Sequence, residues 1–252
     1  MNLRSASPSV PASVRRALVT GGSGAIGAAI CERLAASGLE VIVHANRGTD
    51  RAQAVVERLL QSGARAQAVA FDLTDREATA QALAQLLEGG PIQVLVNNAG
   101  IHDDAVFPGM TGPQWDRVVD VSLNGFFNVT QPLTLPMIRT RWGRIISISS
   151  VAAVAGNRGQ VNYAAAKGAL HSASKALSLE LASRSITVNV VAPGIIDSGM
   201  AQGQFSPEAI RQMVPMQRAG RPQDVADLVD FLASDRAGYI SGQVISVNGG
   251  MI

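Results

Sequence analysis

Residues 20–27 read TGGSGAIG, and they continue the short apolar run ALVT at 17–20. Gly22, Gly24 and Gly27 fit the pattern G-x-G-x-x-G, and the next residues have a helical pattern. Glycines at such a junction permit a tight turn and let a pyrophosphate approach the amides of the helix. A plain glycine-rich turn is the alternative, but the position between the first strand and the first helix of a β-α-β unit predicts a dinucleotide-binding loop.

The rest of the chain alternates short apolar runs with longer helical patterns. The runs are apolar throughout, which is typical of parallel strands that are covered on both faces. We therefore expect an α/β fold: a single doubly wound Rossmann domain over residues 15–252, with a seven-stranded parallel sheet and helices on both faces. The predicted strands lie at 17–20, 41–45, 67–73, 92–100, 144–150, 186–194 and 243–250.

Local signals indicate where several helices begin and end. The first helix is expected to close at Gly38, and Thr74 with Glu77 predicts a capping box for the third. Long helices are expected over WDRVVDVSLNGFFNVTQPLTLPMI and from NYAAAKGAL to about Ser183. Residues 195–220 are rich in loop-forming residues and follow the sixth strand, so they are a candidate lid over a substrate.

Composition and charge narrow the functional classes. The chain has 252 residues, is 47% hydrophobic and carries a net charge of +2, which suits a large core and gives no sign of a nucleic-acid-binding stripe. The single cysteine, Cys31, excludes an internal disulfide, and no Cys/His cluster has metal-ligand spacing.

Residues 1–14 are rich in Ser and Pro without the apolar segment of a signal peptide, and no apolar run is long enough to span a bilayer. We expect a flexible tail over 1–14, a cytoplasmic protein, no metal and no membrane insertion.

The end of the second predicted strand bears on the choice of dinucleotide. It reads His44-Ala45-Asn46-Arg47, and no carboxylate appears before Asp50. A carboxylate there would hydrogen-bond a ribose 2′-hydroxyl and repel a 2′-phosphate, whereas Arg47 offers a guanidinium to that phosphate. The sequence therefore favours NADPH over NADH, unless Arg47 simply points into solvent.

Polar residues also follow the third and fourth strands. Asp72 ends the third, close to where an adenine edge would lie, and Asn97-Asn98-Ala99-Gly100 ends the fourth at the expected crevice. Because Asn is a poor strand former, we expect the two asparagines to fix neighbouring loops through side-chain hydrogen bonds. Each of them alone is also compatible with an ordinary turn.

Residues 162–170 read NYAAAKGAL and place Tyr163 one helical turn before Lys167. Side chains at this spacing share a helix face. The pair by itself is compatible with an amphipathic helix whose lysine is solvated. The motifs elsewhere in the chain decide between that interpretation and a catalytic one.

The order of these motifs resembles one family. TGGSGAIG, NNAG, ISISS, YAAAK and VAPG follow one another as in the short-chain dehydrogenases/reductases, and the resemblance spans nearly the whole chain. Within that family, GRIISISSVAAVAGNRGQVNYAAAKGAL and the ending SGQVISVNGGM are most similar to the 3-oxoacyl-[acyl-carrier-protein] reductases. Acetoacetyl-CoA reductases and other carbonyl reductases share much of this pattern.

The resemblance implies a role for each motif. Tyr163 would be the general acid, Lys167 would lower the pKa of the phenol and hold the nicotinamide ribose, and Ser150 would hydrogen-bond the carbonyl oxygen. NADPH would be the cofactor. The residues implied to line it are Gly21, Ser23, Gly24, Ala25, Ile26, Gly27, Asn46, Arg47, Asp72, Leu73, Asn98, Ala99, Gly100, Tyr163, Lys167, Pro193, Gly194, Ile196 and Ser198.

Three positions depart from the family pattern. The usual catalytic Asn aligns with Ser122, which is expected to hold a relay water more weakly, while Asn124 would lie on nearly the opposite helix face. The second loop glycine aligns with Ala25, whose small side chain should preserve binding. The Arg of many NADPH-using relatives aligns with Gly24, which makes recognition of the 2′-phosphate more dependent on Arg47.

Arginines cluster near the fifth strand. Arg139, Arg141 and Arg144 precede or begin it, and Arg184 follows the helix that carries Tyr163. The cluster is either a solvated basic edge or a docking surface for an acidic carrier protein. The resemblance implies carrier docking at Arg141 and Arg184, and it implies a homotetramer built on the two long helices and the C-terminal segment.

Three functional hypotheses follow. The first is NADPH-dependent reduction of a 3-oxoacyl thioester on an acyl carrier protein, in fatty-acid or polyketide-like synthesis. The second is reduction of another ketone, such as a CoA thioester, a steroid or a polyol. The third, from another class, is a non-catalytic nucleotide-binding regulatory protein; Ser122 favours it, whereas the intact set of Ser150, Tyr163 and Lys167 argues against it.

Overall fold

The computed structural model describes residues 14–198 and 206–252. Its strands are β1 (Arg16–Val19), β2 (Glu40–Ala45), β3 (Ala66–Ala70), β4 (Val94–Asn97), β5 (Gly143–Ile148), β6 (Ile186–Pro193) and β7 (Val244–Val247). All pair in parallel, in one seven-stranded sheet of order β3-β2-β1-β4-β5-β6-β7. This arrangement confirms the predicted doubly wound α/β fold.

Helices cover both faces of the sheet. They are α1 (Ala25–Ala36), α2 (Thr49–Gln61), α3 (Arg76–Glu88), α4 (Gly112–Val119), α5 (Gly125–Thr140), α6 (Ala152–Ala155), α7 (Val161–Leu181), α8 (Pro207–Met213) and α9 (Pro222–Ala233). Helices α1, α2 and α9 pack on one face, and α3, α5 and α7 pack on the other. Neighbouring strand residues therefore enter different cores: Val19 packs with the first group of helices and Leu18 with the second. This is why the strands are apolar at successive positions.

The strand order reverses direction between β1 and β4. The connection after β1 leads outward to β2, whereas the connection after β4 leads the other way, to β5. The loops that follow these two adjacent strands diverge and leave a crevice at their carboxyl ends. Doubly wound sheets bind ligands at this switch point, so the fold directs the glycine loop and residues 97–100 to a shared crevice.

The start of α3 differs from the prediction. Asp75 is the N-cap residue, and its side chain accepts a hydrogen bond from the Ala78 amide at 2.9 Å. The amide and hydroxyl of Thr74 donate instead to Oδ1 of Asp72, at 2.9 and 2.7 Å. The predicted capping box of Thr74 and Glu77 is therefore wrong, because the Asp72 carboxylate engages Thr74 and capping passes to the next residue.

The long helices differ from their predictions in detail. The first is interrupted by a π-helical turn at Asp120–Asn124, which joins α4 to α5. The helix that carries Tyr163 ends at Leu181 and continues as a 3-10 turn over Ala182–Arg184, close to the predicted end. Gly38 follows α1 with a φ of +88°, which agrees with its predicted role in closing that helix.

Two predicted segments lie partly outside the described residues. Only Val14 of the predicted tail is described, and of the candidate lid at 195–220 the structure describes α8 and a bridge between Ile196 and Gly220, but not residues 199–205. Across the described ranges, no helix combines the length and apolarity that a membrane crossing requires. Within the same ranges, no three His, Cys, Asp or Glu side chains are grouped as metal ligands.

Candidate active site

The carboxyl edge of the sheet collects most of the side chains that the sequence predicts for a site. Because neighbouring strands are parallel and in register, their ends reach the same edge. The residues that follow β1 to β6 there include Gly21, Asn46, Asp72, Asn98, Ser150 and Gly194. Tyr163 and Lys167 come to this edge from the first turns of α7.

The glycine loop is held in a close turn by its own backbone and by the residue after β4. Gly21 has a φ of +62°, in the left-handed region that favours glycine. A Cβ atom at Gly27 would overlap the carbonyl oxygen of Gly21, so only glycine permits this approach of helix to loop. Asn98 Nδ2 donates to the carbonyl oxygens of Thr20 and Gly21 at 2.9 and 3.1 Å. The predicted role of Asn98 in fixing a loop agrees with these bonds.

Within the described ranges, no side chain caps the start of helix α1. Gly24 is its N-cap residue, with an extended backbone at φ −79° and ψ 167°. The amides of Ala25, Ile26 and Gly27 open the helix and have no intrahelical acceptor. The helix dipole adds partial positive charge at the same end. The start of α1 is thus a row of donors that suits a pyrophosphate.

The far end of the crevice is lined by Asn46, Arg47 and Asp72. Both Asn46 and Arg47 are exposed at the end of β2. The pKa of Asp72 is held below its usual range, chiefly because the amide and hydroxyl of Thr74 donate to the carboxylate, with smaller effects from Asn46 and Arg47. A carboxylate that is ionised and fixed in this way is an acceptor suited to the amino edge of an adenine.

The first turn of α7 is anchored by Asn162, which is fully buried. Its Oδ1 accepts the amide of Tyr163 at 2.8 Å. Its Nδ2 donates to the carbonyl oxygens of Asp103 and Gln114 at 3.0 and 3.1 Å. These bonds fix Tyr163 relative to the loop after β4 and to α4.

Lys167 is a charged group in a buried position. It is 2% exposed, and its Nζ donates to the carbonyl oxygen of Ile148 at 2.8 Å. Burial lowers the pKa of Lys167 to about 8. A Cβ atom at Gly100 would lie 2.7 Å from this Nζ, so glycine at that position gives the ammonium its place at the crevice. Helix α7 also contacts the end of β5, because Ser149 Oγ donates to the carbonyl oxygen of Lys167 at 3.0 Å.

The pKa of Tyr163 differs from the prediction. Burial raises it above the ordinary value for a phenol, hydrogen bonding with Ser150 opposes that rise, and the Asp104 carboxylate adds to it. The prediction that Lys167 lowers this pKa is wrong for this structure, in which the Lys167 ammonium donates to the carbonyl of Ile148 and the net direction is upward. Tyr163 is therefore a protonated phenol at neutral pH, which is the state that a proton donor needs.

Ser122 lies within the π-helical turn and is 3% exposed. Its Oγ has no hydrogen-bond partner among the described residues. The position of a Cβ atom at Gly100 lies 3.6 Å from this Oγ as well as beside Lys167 Nζ, so the two side chains reach the same glycine. Asn124 is exposed and donates to Asp120 Oδ1 at 2.7 Å, so it points away from the site as predicted.

The end of β6 completes the crevice. A Cβ atom at Gly194 would lie 2.7 Å from the Cβ of Asn248, so glycine is required where this strand end meets the residue after β7. The carbonyl oxygen of Pro193 accepts the amide of Val151 at 2.7 Å, which holds the strand end next to Ser150. The remaining predicted residues of this segment, Ile196 and Ser198, are buried.

The predicted docking arginines lie at the opposite edge of the sheet. Arg141 and Arg184 are exposed just before β5 and β6 begin, whereas Ser150 lies beyond the end of β5, a strand about 20 Å long. Arg144 is not part of an exposed cluster, contrary to the prediction. It is buried, donates to backbone carbonyls and stacks on the ring of Trp142.

Two residues that hold the site in shape were not predicted. Thr20 Oγ1 accepts the amides of Asn98 and Ala99, both at 3.0 Å, and so joins the glycine loop to the end of β4. Asn162 anchors Tyr163 by accepting its backbone amide. Both stand inside or beside the recognised motifs, but their partners are far away in sequence, so only the folded chain reveals the contacts.

Comparisons with known proteins agree with this geometry. Residues 15–209 match a family model described as short chain dehydrogenase. The chain is 44% identical, over 93% of its length and 98% of the relative, to 3-oxoacyl-[acyl-carrier-protein] reductase FabG of Aggregatibacter actinomycetemcomitans. It is 43% identical to the FabG of Aquifex aeolicus, over 93% of the chain and 96% of that protein. It is also 41% identical to nodulation protein G of Azospirillum brasilense, over 93% of the chain and 97% of that protein.

Proposed function

Since the chain belongs to the short-chain dehydrogenase family, we propose that residues 15–252 form one reductase domain that uses NADPH to reduce a 3-oxoacyl thioester to the 3-hydroxyacyl thioester. The observation that carries the proposal is the meeting of Ser150, Tyr163 and Lys167 at the carboxyl edge, beside the crevice of the glycine loop. The relatives that are named 3-oxoacyl-[acyl-carrier-protein] reductases support the substrate class.

The residues of the crevice fit a nicotinamide dinucleotide phosphate. The open amides at the start of α1 and the hydroxyl of Ser23 suit the pyrophosphate, and the absence of a Cβ at Gly100 leaves Lys167 Nζ within reach of a ribose. Arg47 offers the exposed guanidinium for a 2′-phosphate. When bound, the nicotinamide supplies a hydride to the carbonyl carbon of the substrate.

Tyr163 holds the proton that the carbonyl oxygen must gain. Its raised pKa keeps the phenol protonated at neutral pH. Ser150 lies close enough to Tyr163 to lower the pKa of the phenol, and it would donate to the same substrate oxygen, so that the two hydroxyls fix that oxygen and stabilise the charge that develops on it. Asn162 accepts the backbone amide of Tyr163 and so anchors the turn of α7 that carries the phenol.

Lys167 and Ser122 return a proton to Tyr163 after transfer. The ammonium of Lys167 is buried beside Gly100. The Oγ of Ser122, which has no hydrogen-bond partner in the described part of the chain, lies near the same glycine. A buried hydroxyl without a partner costs about 1–3 kcal/mol, so a water bridging Ser122 and Lys167 would satisfy the hydroxyl and serve as the relay. Ser122 would then perform, with one hydroxyl, the task that the resemblance assigns to Asn.

The carrier protein would act across two copies of the chain. Arg141 and Arg184 lie at the edge opposite the site of their own copy. Helices α5 and α7 both run from the site to that edge, so an antiparallel pairing of these helices would bring the arginines of one copy beside the site of the other. The exposed apolar residues Phe127, Leu135 and Leu179 on these helices support such pairing, and the exposed Tyr239 near edge strand β7 supports a second interface and hence a homotetramer.

A comparison of substrates tests the proposal. NADPH oxidation should be followed by absorbance with an acetoacetyl group carried on acyl carrier protein, on CoA and with a panel of simple ketones. We expect the highest kcat/KM with the carrier-bound thioester. Preference for a ketone outside the thioester class would make the second hypothesis the better one, and NADPH binding without turnover of any ketone would favour a regulatory protein.

A further inference from the structure

The buried side chain of His44 connects two parts of the crevice. It lies in β2 and is 1% exposed. Its Nδ1 accepts the amide of Gly21 at 3.2 Å, and its Nε2 lies 3.0 Å from the carbonyl oxygen of Phe71. The backbone takes part as well, because the carbonyl oxygen of His44 accepts the amide of Gly22 at 2.8 Å. Gly21 belongs to the loop after β1, whereas Phe71 directly follows β3.

The two contacts determine the chemical state of the imidazole. The Gly21 amide is a donor, so Nδ1 must be free of a proton, and the Phe71 carbonyl is an acceptor, so Nε2 must carry one. A neutral ring is required, and burial favours it, since it lowers the pKa of His44 to about 4 against smaller opposing effects of the Phe71 carbonyl and Asp72. At neutral pH His44 is therefore a fixed acceptor toward the loop and a fixed donor toward the strand end.

Gly21 is the point at which the loop takes its unusual turn. Its φ of +62° is held from both sides, because the amide donates to His44 and the carbonyl accepts from Asn98 Nδ2 and from the Gly24 amide, both at 3.1 Å. Asn98 reaches Gly21 from β4, and His44 reaches it from β2, on the other side of β1. Without the acceptor on His44, the peptide that joins Thr20 to Gly21 would lose the partner that sets its orientation.

The other end of the ring faces the adenosine part of the crevice. The rings of His44 and Phe71 pack with centroids 4.3 Å apart. Phe71 precedes Asp72, whose carboxylate suits an adenine. One imidazole thus links the loop that suits a pyrophosphate to the strand end that suits the adenine, and it fixes the distance between them.

We propose that His44 is a positioning residue for the dinucleotide, and that it acts by holding the glycine loop through Nδ1 in the conformation that receives the pyrophosphate. The proposal rests on the proposed function, because it presupposes that this crevice binds NADPH. A loop that is ordered before binding needs no ordering at the moment of binding, and this strengthens affinity. Loss of the acceptor that His44 Nδ1 provides for the Gly21 amide is expected to weaken NADPH binding about 10- to 100-fold.

Two amide substitutions separate the contacts of His44. In His44→Asn the side-chain oxygen can occupy the place of Nδ1 and keep the acceptor for Gly21, but no donor reaches Phe71. In His44→Gln the side-chain nitrogen can occupy the place of Nε2 and keep the donor for Phe71, but the acceptor for Gly21 is lost. The two variants therefore differ in the hydrogen bond that they retain, to Gly21 in His44→Asn and to Phe71 in His44→Gln. Both replace an aromatic ring by a small amide.

The measurements are the Kd of NADPH by fluorescence titration and the amide hydrogen exchange of residues 20–24 in the protein without ligand. We expect His44→Asn to keep the Kd within about threefold of the original chain and to keep the loop protected. His44→Gln should raise the Kd at least about 10-fold and speed exchange in the loop, with kcat at saturating NADPH unchanged, because the residues that contact the substrate are intact.

Three results would overturn the proposal. The Kd of NADPH could be the same for His44→Gln and the original chain, His44→Asn and His44→Gln could lose equal amounts of NADPH affinity, or His44→Gln could leave the amide exchange of the loop unchanged. If His44→Gln does not fold, His44→Asn decides the matter alone, because protected loop amides support the proposal and exposed ones refute it. Failure of the original chain to bind NADPH would contradict the proposed function instead, and the exchange measurement would still report on His44.

Discussion

Lys167 is a charged side chain in a place where charge is costly. Its pKa is lowered to about 8 by burial, whereas an unfolded lysine titrates near 10.4. Between these values the unfolded chain binds more protons than the folded one, so the free energy of unfolding rises with pH across that window. At neutral pH the folded protein bears the full penalty of the buried ammonium. A residue that destabilises the fold at its working pH is typical of a functional site.

Lys167→Met is therefore expected to abolish reduction and to raise the free energy of unfolding at pH 7 by up to about 3 kcal/mol. The gain should shrink near pH 10, where the original lysine is neutral in the folded state and losing its charge in the unfolded one. Urea unfolding at the two pH values measures this. Lys175→Met removes an exposed lysine from the same helix and serves as the control, with a small change that is the same at both values. An equal gain for Lys167→Met at both pH values would contradict the interpretation.

Selectivity between NADPH and NADH gives a second test at the scale of single residues. Arg47→Ala should lower the ratio of kcat/KM for NADPH to that for NADH about tenfold, because a charge-assisted contact to the 2′-phosphate is lost. Gly24→Arg in the same chain should restore much of the ratio. Gly24 has an extended backbone, and among the residues that the structure describes a Cβ atom there would meet only the Gly21 carbonyl oxygen, at an ordinary 3.5 Å. A ratio that neither substitution changes would move recognition of the phosphate to other residues.

The sequence supports the choice of the proposed site residues, but it does not reveal their electrostatics. Ser150, Tyr163 and Lys167 stand in motifs whose order is visible in the chain. The direction of the Tyr163 pKa depends on burial, on hydrogen bonding with Ser150 and on the Asp104 carboxylate, which are properties of the folded chain. The contacts of His44 were missed for the same reason, since Gly21 and Phe71 approach it only when β1 and β3 flank β2.

At the scale of elements, the π-helical turn at Asp120–Asn124 is what brings Ser122 to the crevice. Such turns insert one residue into a helix and often lie at functional sites. In this chain the turn buries Ser122 and leaves Asn124 exposed to bond with Asp120. The sequence predicted a continuous helix here, because an inserted residue leaves no mark on the apolar pattern.

The relay proposed for Ser122 predicts a split between kcat and KM. Ser122→Ala should lower kcat about tenfold, as expected from loss of one proton-transfer partner, and leave the KM for NADPH unchanged. Ser122→Asn, which introduces the family residue, should restore kcat. Ser174→Ala is a matched control, because Ser174 on α7 is also buried, and its hydroxyl also lacks a hydrogen-bond partner within residues 14–198 and 206–252, but it contributes nothing to the proposed relay. An unaltered kcat in Ser122→Ala would remove Ser122 from the mechanism.

The elements of the sheet were predicted more closely than the caps. Parallel strands in a doubly wound sheet are apolar throughout, and glycines close the helices, so both are visible locally. The start of α3 differs from the prediction because the Asp72 carboxylate accepts the amide and hydroxyl of Thr74, while Asp75 accepts the Ala78 amide, and the local sequence does not reveal this division of partners.

At the scale of the whole molecule, the separation of the docking arginines from the site predicts cooperation between copies. A chain carrying Arg141→Glu and Arg184→Glu keeps Ser150, Tyr163 and Lys167 but should no longer bind the carrier protein. A chain carrying Tyr163→Phe should still bind the carrier protein but lacks the phenol that donates the proton. Mixed oligomers of the two, formed by coexpression, should recover turnover of the carrier-bound thioester, because the arginines of one copy serve the intact site of the other.

The same mixture should show no such recovery with the CoA thioester, for which the double variant is already active. Carrier-dependent turnover no greater than the sum of the two separate variants would mean that the carrier does not dock across copies. The sequence alone gave no basis for this arrangement, because the positions of Arg141 and Arg184 relative to the crevice follow from the direction of β5 and β6.

The most direct measurement compares the original chain with Tyr163→Phe in NADPH oxidation on an acetoacetyl thioester, with NADPH affinity determined for both. We expect the original chain to turn over the thioester, and Tyr163→Phe to bind NADPH with the same Kd but to show no reduction above background. Undiminished turnover by Tyr163→Phe would contradict the central claim that this phenol donates the proton to the ketone oxygen.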